Sequence, residues 1–187
     1  MSRRLIIGGL IASILTSVAG FPFEPMEAYD WTGFFFLLFA LSLFLAAVLI
    51  ALDASRRGED ILALGFWSVA LYGVGTAING ALISRDLSEV SVAMQPGIWG
   101  LLAVGLLMIG ITSGMPAWVR IVGVISAIGH AIAATAVLFG ADMPHTGAEP
   151  SEVAPLIVAV SKLLFWAAVI GWILAIRRYH SLEQPVS

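Results

Sequence analysis

The chain has 187 residues, of which 60% are hydrophobic and 11% are charged, and its mean hydropathy is +1.00. This composition leaves too little polar surface for a water-soluble globule, so the sequence predicts a protein that lies in lipid. The formal net charge of -3 points to no class of partner, while the lack of cysteine excludes a disulfide framework, thiolate metal sites and cysteine nucleophiles.

Short polar connections divide the chain into six apolar stretches. Each stretch is close to the roughly 20 residues that a helix needs to cross about 30 Å of hydrocarbon. Because lipid offers no water to unpaired backbone groups, runs of this length are predicted to be helices. We therefore expect an all-α, polytopic integral membrane bundle that forms a single transmembrane domain over residues 1–187. The predicted helices span residues 5–21, 31–52, 61–84, 97–113, 117–141 and 153–176.

The first predicted helix has a competing interpretation. Arg3 and Arg4 precede an apolar core, and the small residues 17–20 follow it. This order is also typical of a secretory signal peptide with a small-residue cleavage site. Retention gives six spans, whereas cleavage leaves five without reversing the orientation of the others.

The arginines are distributed very unevenly between the two sides of the predicted bundle. Seven fall on one side if all six spans are present, and the other side has only Arg85. Cytoplasmic loops are enriched in arginine and lysine, so we predict that the arginine-rich side and both chain termini are cytoplasmic. The seven arginines are Arg3, Arg4, Arg56, Arg57, Arg120, Arg177 and Arg178.

The third predicted helix carries nearly all its polar groups in one sector of roughly 100°. In lipid such a face turns inward, where small residues let helix backbones approach and hydroxyls bond to neighbouring helices. The pattern therefore predicts either helix packing or a polar permeation path. The residues of this stripe are Gly65, Ser68, Tyr72, Gly75, Thr76 and Asn79.

His130 falls near the centre of the fifth predicted helix, about 16 Å from either end at 1.5 Å per residue. Small residues such as Gly123 and Ala127 share its face, which indicates that the imidazole faces the bundle interior. A histidine there suits proton relay or substrate binding, since its charge changes near neutral pH. The alternative is a neutral histidine bonded to a serine, a tyrosine or a backbone carbonyl.

Lys162 is the only lysine, and it lies in the middle of the sixth apolar run. A charge at membrane depth costs roughly 2.5 to 3.5 kcal/mol, so it is by default a sign of function. Side chains tilt toward a helix's N-terminus, here the external end. Lys162 also shares its face with the bulky Phe165 and Trp166, apart from the small Ser161 and Ala168. We therefore expect it to point outward, off the packed core, either snorkelling or contacting an anion, a lipid or a partner.

Other chemistry is poorly supported by the residue pattern. One deep histidine is too few for a haem with two histidine ligands or for a zinc site. Residues 142–145, with Glu149 and Glu152 nearby, lack diagnostic metal-ligand spacing and are better interpreted as a solvated loop. Phosphate-loop and hydrolase motifs do not occur, and no basic aromatic-bearing face indicates nucleic acid. We expect no cofactor and no metal.

Three functions follow from this pattern, in decreasing order of support. The first is a transporter or channel for a small solute, with a polar path along Ser68, Tyr72, Thr76, Asn79 and His130 and with Lys162 attracting anions. The second is a non-catalytic accessory or scaffold subunit of a membrane complex, whose Lys162 face contacts lipid, another copy or another membrane protein. The third, a lipid-modifying enzyme, lacks a core carboxylate to act as acid or base.

Overall fold

The computed structural model describes residues 3–20, 29–85, 87–113, 115–139 and 153–181. Within these ranges the fold is all-helical, with six helices and no strand, and this confirms the all-α, six-helix part of the predicted fold class. All six helices are long and apolar enough to cross a membrane. The helices are α1 (Arg3–Gly20), α2 (Tyr29–Arg56), α3 (Asp60–Ile83), α4 (Ser88–Ile111), α5 (Ala117–Leu138) and α6 (Val153–Ser181).

The largest departure from the predicted boundaries is in α4. This helix begins at Ser88 and contains Pro96, whereas the predicted helix begins after the proline. A proline lacks the N–H that a helix interior needs, but membrane helices tolerate it because neighbouring helices satisfy the freed carbonyl groups. The extra turns place Gln95 inside the helix, where it is buried.

The helices form a ring in chain order. Each helix packs against the next one, and a smaller contact between α1 and α6 closes the ring. At one end of the bundle, the Arg3 Nη2 donates a hydrogen bond to the Arg177 carbonyl oxygen at 2.8 Å. We call this end, which also carries Arg56 and Arg120, the arginine end. The opposite end is the one at which α1, α3 and α5 finish.

Two helix crossings are close enough to bring backbones together. Where α3 crosses α4, a Cβ atom on Gly105 would lie 2.8 Å from the Gly65 carbonyl oxygen. Where α2 crosses α3, a Cβ atom on Gly33 would lie 2.6 Å from the Gly80 carbonyl oxygen. Small residues at such crossings allow the close van der Waals packing that holds membrane helices together.

Five aromatic side chains, which we call the aromatic column, link α2, α3 and α6 in the interior. Phe66 and Trp172 are fully buried and meet edge to face, with ring centroids 4.9 Å apart. Phe165 contacts both Trp172 and Tyr72, each at 6.1 Å, and Phe39 contacts Tyr72 at 6.3 Å. Edge-to-face pairs are a favourable arrangement of aromatic rings. The column fills the interior from mid-depth toward the arginine end.

The outer surface of the bundle is apolar. On α3, Leu64, Leu71 and Ile78 are exposed and lie seven residues apart, so they form one outward stripe. On α5, Ile121 and Ile128 are exposed in the same way. Exposed apolar surface of this extent is unusual in a soluble monomer and suits contact with lipid.

Candidate functional site

A cavity of about 90 Å³ lies inside the ring, in the half nearer the opposite end. All six helices contribute side chains to it. In liquid water this volume corresponds to about three molecules at roughly 30 Å³ each, so the cavity suits a small polar group. Its polar lining residues are Ser17, Tyr72, Thr76, Asn79, Gln95, His130 and Lys162. Its aromatic lining residues are Phe36, Phe39, Trp99, Phe165 and Trp166.

The polar stripe of α3 divides between this cavity and a helix contact. Tyr72, Thr76 and Asn79 line the cavity, and the Thr76 Oγ1 donates to the Tyr72 carbonyl oxygen at 2.9 Å. Ser68 does not line it; its hydroxyl donates to the Leu101 carbonyl oxygen at 2.7 Å and joins α3 to α4. The predicted path therefore stops short of Ser68, for which the packing interpretation holds. Whether the other three bind a solute stays a prediction.

His130 lines the cavity and is held by a short hydrogen-bond network. It is 5% exposed, and its Nδ1 lies 2.8 Å from the Ser126 carbonyl oxygen. The Ser126 hydroxyl in turn donates to the Ser161 carbonyl oxygen at 3.1 Å, which joins α5 to α6. With the proton on Nδ1 as this contact requires, Nε2 of the neutral ring keeps a lone pair. His130 is therefore both bonded to a backbone carbonyl and placed at the cavity.

The prediction that Lys162 points outward, off the packed core, is wrong. Lys162 is half-buried and lines the cavity together with Phe165 and Trp166. Aromatic bulk marks an interior face of α6, because Phe165 and Trp172 belong to the aromatic column. The inference from bulky neighbours to a lipid-facing side therefore fails. The predicted role of Lys162 in contacting an anion, a lipid or a partner is not decided by this placement.

Gln95 and Ser17 are polar cavity residues that the sequence pattern did not indicate, and Gln95 is the more deeply placed in an apolar run. It is 6% exposed, and its Oε1 is buried without a hydrogen-bond partner among the described residues. The oxygen and nitrogen of an amide are assigned from their surroundings, and a buried amide needs partners at both. A glutamine inside an apolar run was the available signal. It was lost because the predicted fourth helix begins after Pro96.

The described lining of the cavity carries a positive charge. Among the described residues that line it, Lys162 is a cation and none is aspartate or glutamate. Across the described ranges, His, Asp and Glu side chains form no group of three or more that could hold a metal. The loop residues 142–145, Glu149 and Glu152 lie outside the described ranges. The arrangement is suited to binding a small polar or anionic group, and its described lining offers no carboxylate for acid–base catalysis.

Comparison of the chain with protein-family models, curated proteins and solved structures gives no match. The site itself must therefore carry any functional conclusion.

Proposed function

We propose that this protein is a multi-pass membrane carrier for a small solute, which binds in the cavity. The observation that carries the proposal is the polar lining of the cavity, to which Gln95 of α4 contributes a buried amide. A cavity lined by several convergent polar side chains within an apolar bundle is the usual form of a small-molecule binding site. Asn79, His130 and Lys162 surround the same space.

A carrier is favoured over a channel by the filling of the interior. The cavity occupies one half of the bundle. Phe39, Tyr72 and Phe165 of the aromatic column line the cavity, and the fully buried Phe66 and Trp172 fill the interior beyond it. A channel needs a continuous path across the membrane. A cavity that reaches mid-depth from one end and is closed toward the other is the arrangement that alternating-access carriers use.

The proposed orientation puts the arginine end in the cytoplasm. Arg3, Arg56, Arg120 and Arg177 lie at that end, and cytoplasmic flanks of membrane helices are enriched in arginine. The cavity then faces the external side of the membrane. The exposed apolar stripes of α3 and α5 are in contact with lipid in this arrangement.

The chain has no cysteine, so single cysteines can be introduced and labelled with a membrane-impermeant thiol reagent from either side. Thr76→Cys reports on the cavity, and Ala168→Cys reports on the fully buried interior of α6 beyond Phe165. We expect Thr76→Cys to react from the opposite end. We expect Ala168→Cys to react more slowly and only from the arginine end, because it becomes accessible when the bundle opens there.

Ser68→Cys is the matched control on α3, since Ser68 faces α4 and does not line the cavity. It should react more slowly than Thr76→Cys from the opposite end. If Thr76→Cys is unreactive from both sides, the cavity is closed to solutes and the proposal is wrong. If Thr76→Cys reacts and Ala168→Cys never does, the protein binds without carrying, as expected of an accessory subunit.

A further inference from the structure

We infer that the solute carries an oxyanion, either a carboxylate or a phosphate group, and that Lys162 binds it. This inference rests on the proposed function and names the chemical class of its substrate. It depends on the charge at the cavity, on the buried amide beside it and on the size of the space.

Lys162 has no ion-pair partner among the described residues. The ion pairs there join Arg57 to Asp53 at 3.6 Å and to Glu59 at 3.3 Å, all at the arginine end. An ammonium group at membrane depth is costly unless an opposite charge or a polar cavity stabilises it. An anion in the cavity supplies that charge, and it also explains why a lysine on an interior face is compatible with folding in lipid.

Gln95 gives the cavity a second polar group on the other side of the ring, since it belongs to α4 whereas Lys162 belongs to α6. Its amide can donate hydrogen bonds through Nε2 as well as accept them through Oε1. An oxyanion accepts several hydrogen bonds at once, so it can engage the ammonium and the amide together. A neutral apolar solute leaves the amide without a hydrogen-bond partner.

The size and lining of the cavity limit the bound group. A carboxylate or phosphate group fits a volume of about 90 Å³. Phe36, Trp99 and Trp166 line the same space, so an apolar portion next to the anionic group finds favourable contacts.

The proposed anion has two possible sources, each with its own route to the cavity. A water-soluble carboxylate reaches it from the opposite end. A lipid headgroup reaches it from the side, between α1 and α6, whose contact is the smallest in the ring and which place Ser17 and Lys162 at the cavity. The bound group is an oxyanion in both cases, and the experiment below distinguishes a soluble carboxylate from a lipid headgroup.

The test measures protection of Thr76→Cys from the impermeant thiol reagent in nanodiscs. Acetate is the anionic probe, and acetamide is its neutral analogue of nearly equal size. Nanodiscs of an uncharged glycolipid that lacks phosphate are compared with nanodiscs containing phosphatidylglycerol. We expect acetate to slow labelling in neutral lipid and acetamide to have little effect. Protection by phosphatidylglycerol without protection by acetate identifies a lipid headgroup as the source.

Lys162→Gln should weaken protection by at least about tenfold, because hydrogen bonds to charged groups contribute more than neutral ones. Lys162→Arg should retain part of it. Arg85→Gln removes an exposed cation at the same end and should change nothing. Gel filtration of each variant shows whether it is folded.

The inference is overturned if acetamide protects as well as acetate, or if neither acetate nor phosphatidylglycerol protects. It is also overturned if Lys162→Gln is folded and protected like the parent protein. None of these results changes the labelling of Thr76→Cys and Ala168→Cys without a probe, so failure of the anion inference is distinguishable from failure of the carrier proposal.

Discussion

At the scale of single residues, Gln95 combines burial with an unsatisfied oxygen in the described part of the chain. Replacing both the donor and acceptor groups of such a residue with an apolar side chain of similar size removes the cost of the unpaired atom. We therefore expect Gln95→Leu to stabilise the folded protein by about 1 kcal/mol. The measurement is the thermal denaturation midpoint in detergent by circular dichroism.

Thr135→Val serves as the comparison for this prediction, because the Thr135 hydroxyl is exposed and bonded to the Ala131 carbonyl oxygen of its own helix. It should shift the midpoint little. Gln95→Leu should in addition lose protection of the cavity by acetate. A lowered midpoint in Gln95→Leu would indicate that the glutamine has a structural partner and that its oxygen is not left unsatisfied.

A site residue could be predicted from the sequence only where its position depends on neighbours in the same helix. Tyr72, Thr76 and Asn79 share one face of α3, so helical periodicity alone brought them together. Whether the Lys162 side chain points inward depended on which face of α6 turns toward the interior of the ring. That is a property of the assembled bundle. Gln95 depended on whether α4 continues through Pro96.

At the scale of helices, the crossing of α3 and α4 is limited by backbone contact. A Cβ atom on Gly105 would lie 2.8 Å from the Gly65 carbonyl oxygen and 3.0 Å from the Val69 Cγ2. A backbone oxygen cannot move aside as a flexible side chain can, so Gly105→Ala must push the helices apart. We expect it to destabilise the protein by about 1 to 3 kcal/mol, as measured by the thermal denaturation midpoint in detergent.

Gly100→Ala provides a control on the same helix, since a Cβ atom there has nothing within 4 Å. Alanine favours a helix over glycine by up to about 1 kcal/mol, so this variant should be neutral or slightly stabilising. Equal midpoints for Gly105→Ala and Gly100→Ala would show that the crossing is looser than its geometry indicates.

The existence of the helices was predictable because length and hydropathy are properties of each segment alone. Their ends were less so. The predicted start of α4 after Pro96 follows from the rule that proline disrupts helices, yet neighbouring helices in a bundle allow the helix to begin at Ser88. Helix pairing, the aromatic column and the cavity depend on contacts between distant segments, which periodicity does not specify.

At the scale of the whole molecule, the ring gives the two ends of the bundle different interiors. The aromatic column occupies the interior toward the arginine end, and the cavity with Lys162 lies toward the opposite end. Seven of the arginines therefore lie at the end where the interior is filled. Arg85 is the one arginine at the end where the cavity lies. Under the proposed orientation, the structural asymmetry and the charge asymmetry coincide, and a solute approaches the cavity from outside.

That orientation gives the last prediction, which uses two exposed positions at opposite ends of the bundle. Ser55 lies near the end of α2 at the arginine end, and Leu87 lies between α3 and α4 at the opposite end. In intact cells, an impermeant thiol reagent should label Leu87→Cys and spare Ser55→Cys, because the arginine end is expected in the cytoplasm. Permeabilised cells should show labelling of both, which controls for reactivity. The reverse pattern would show that the cavity faces the cytoplasm and that the orientation predicted from the arginines is wrong.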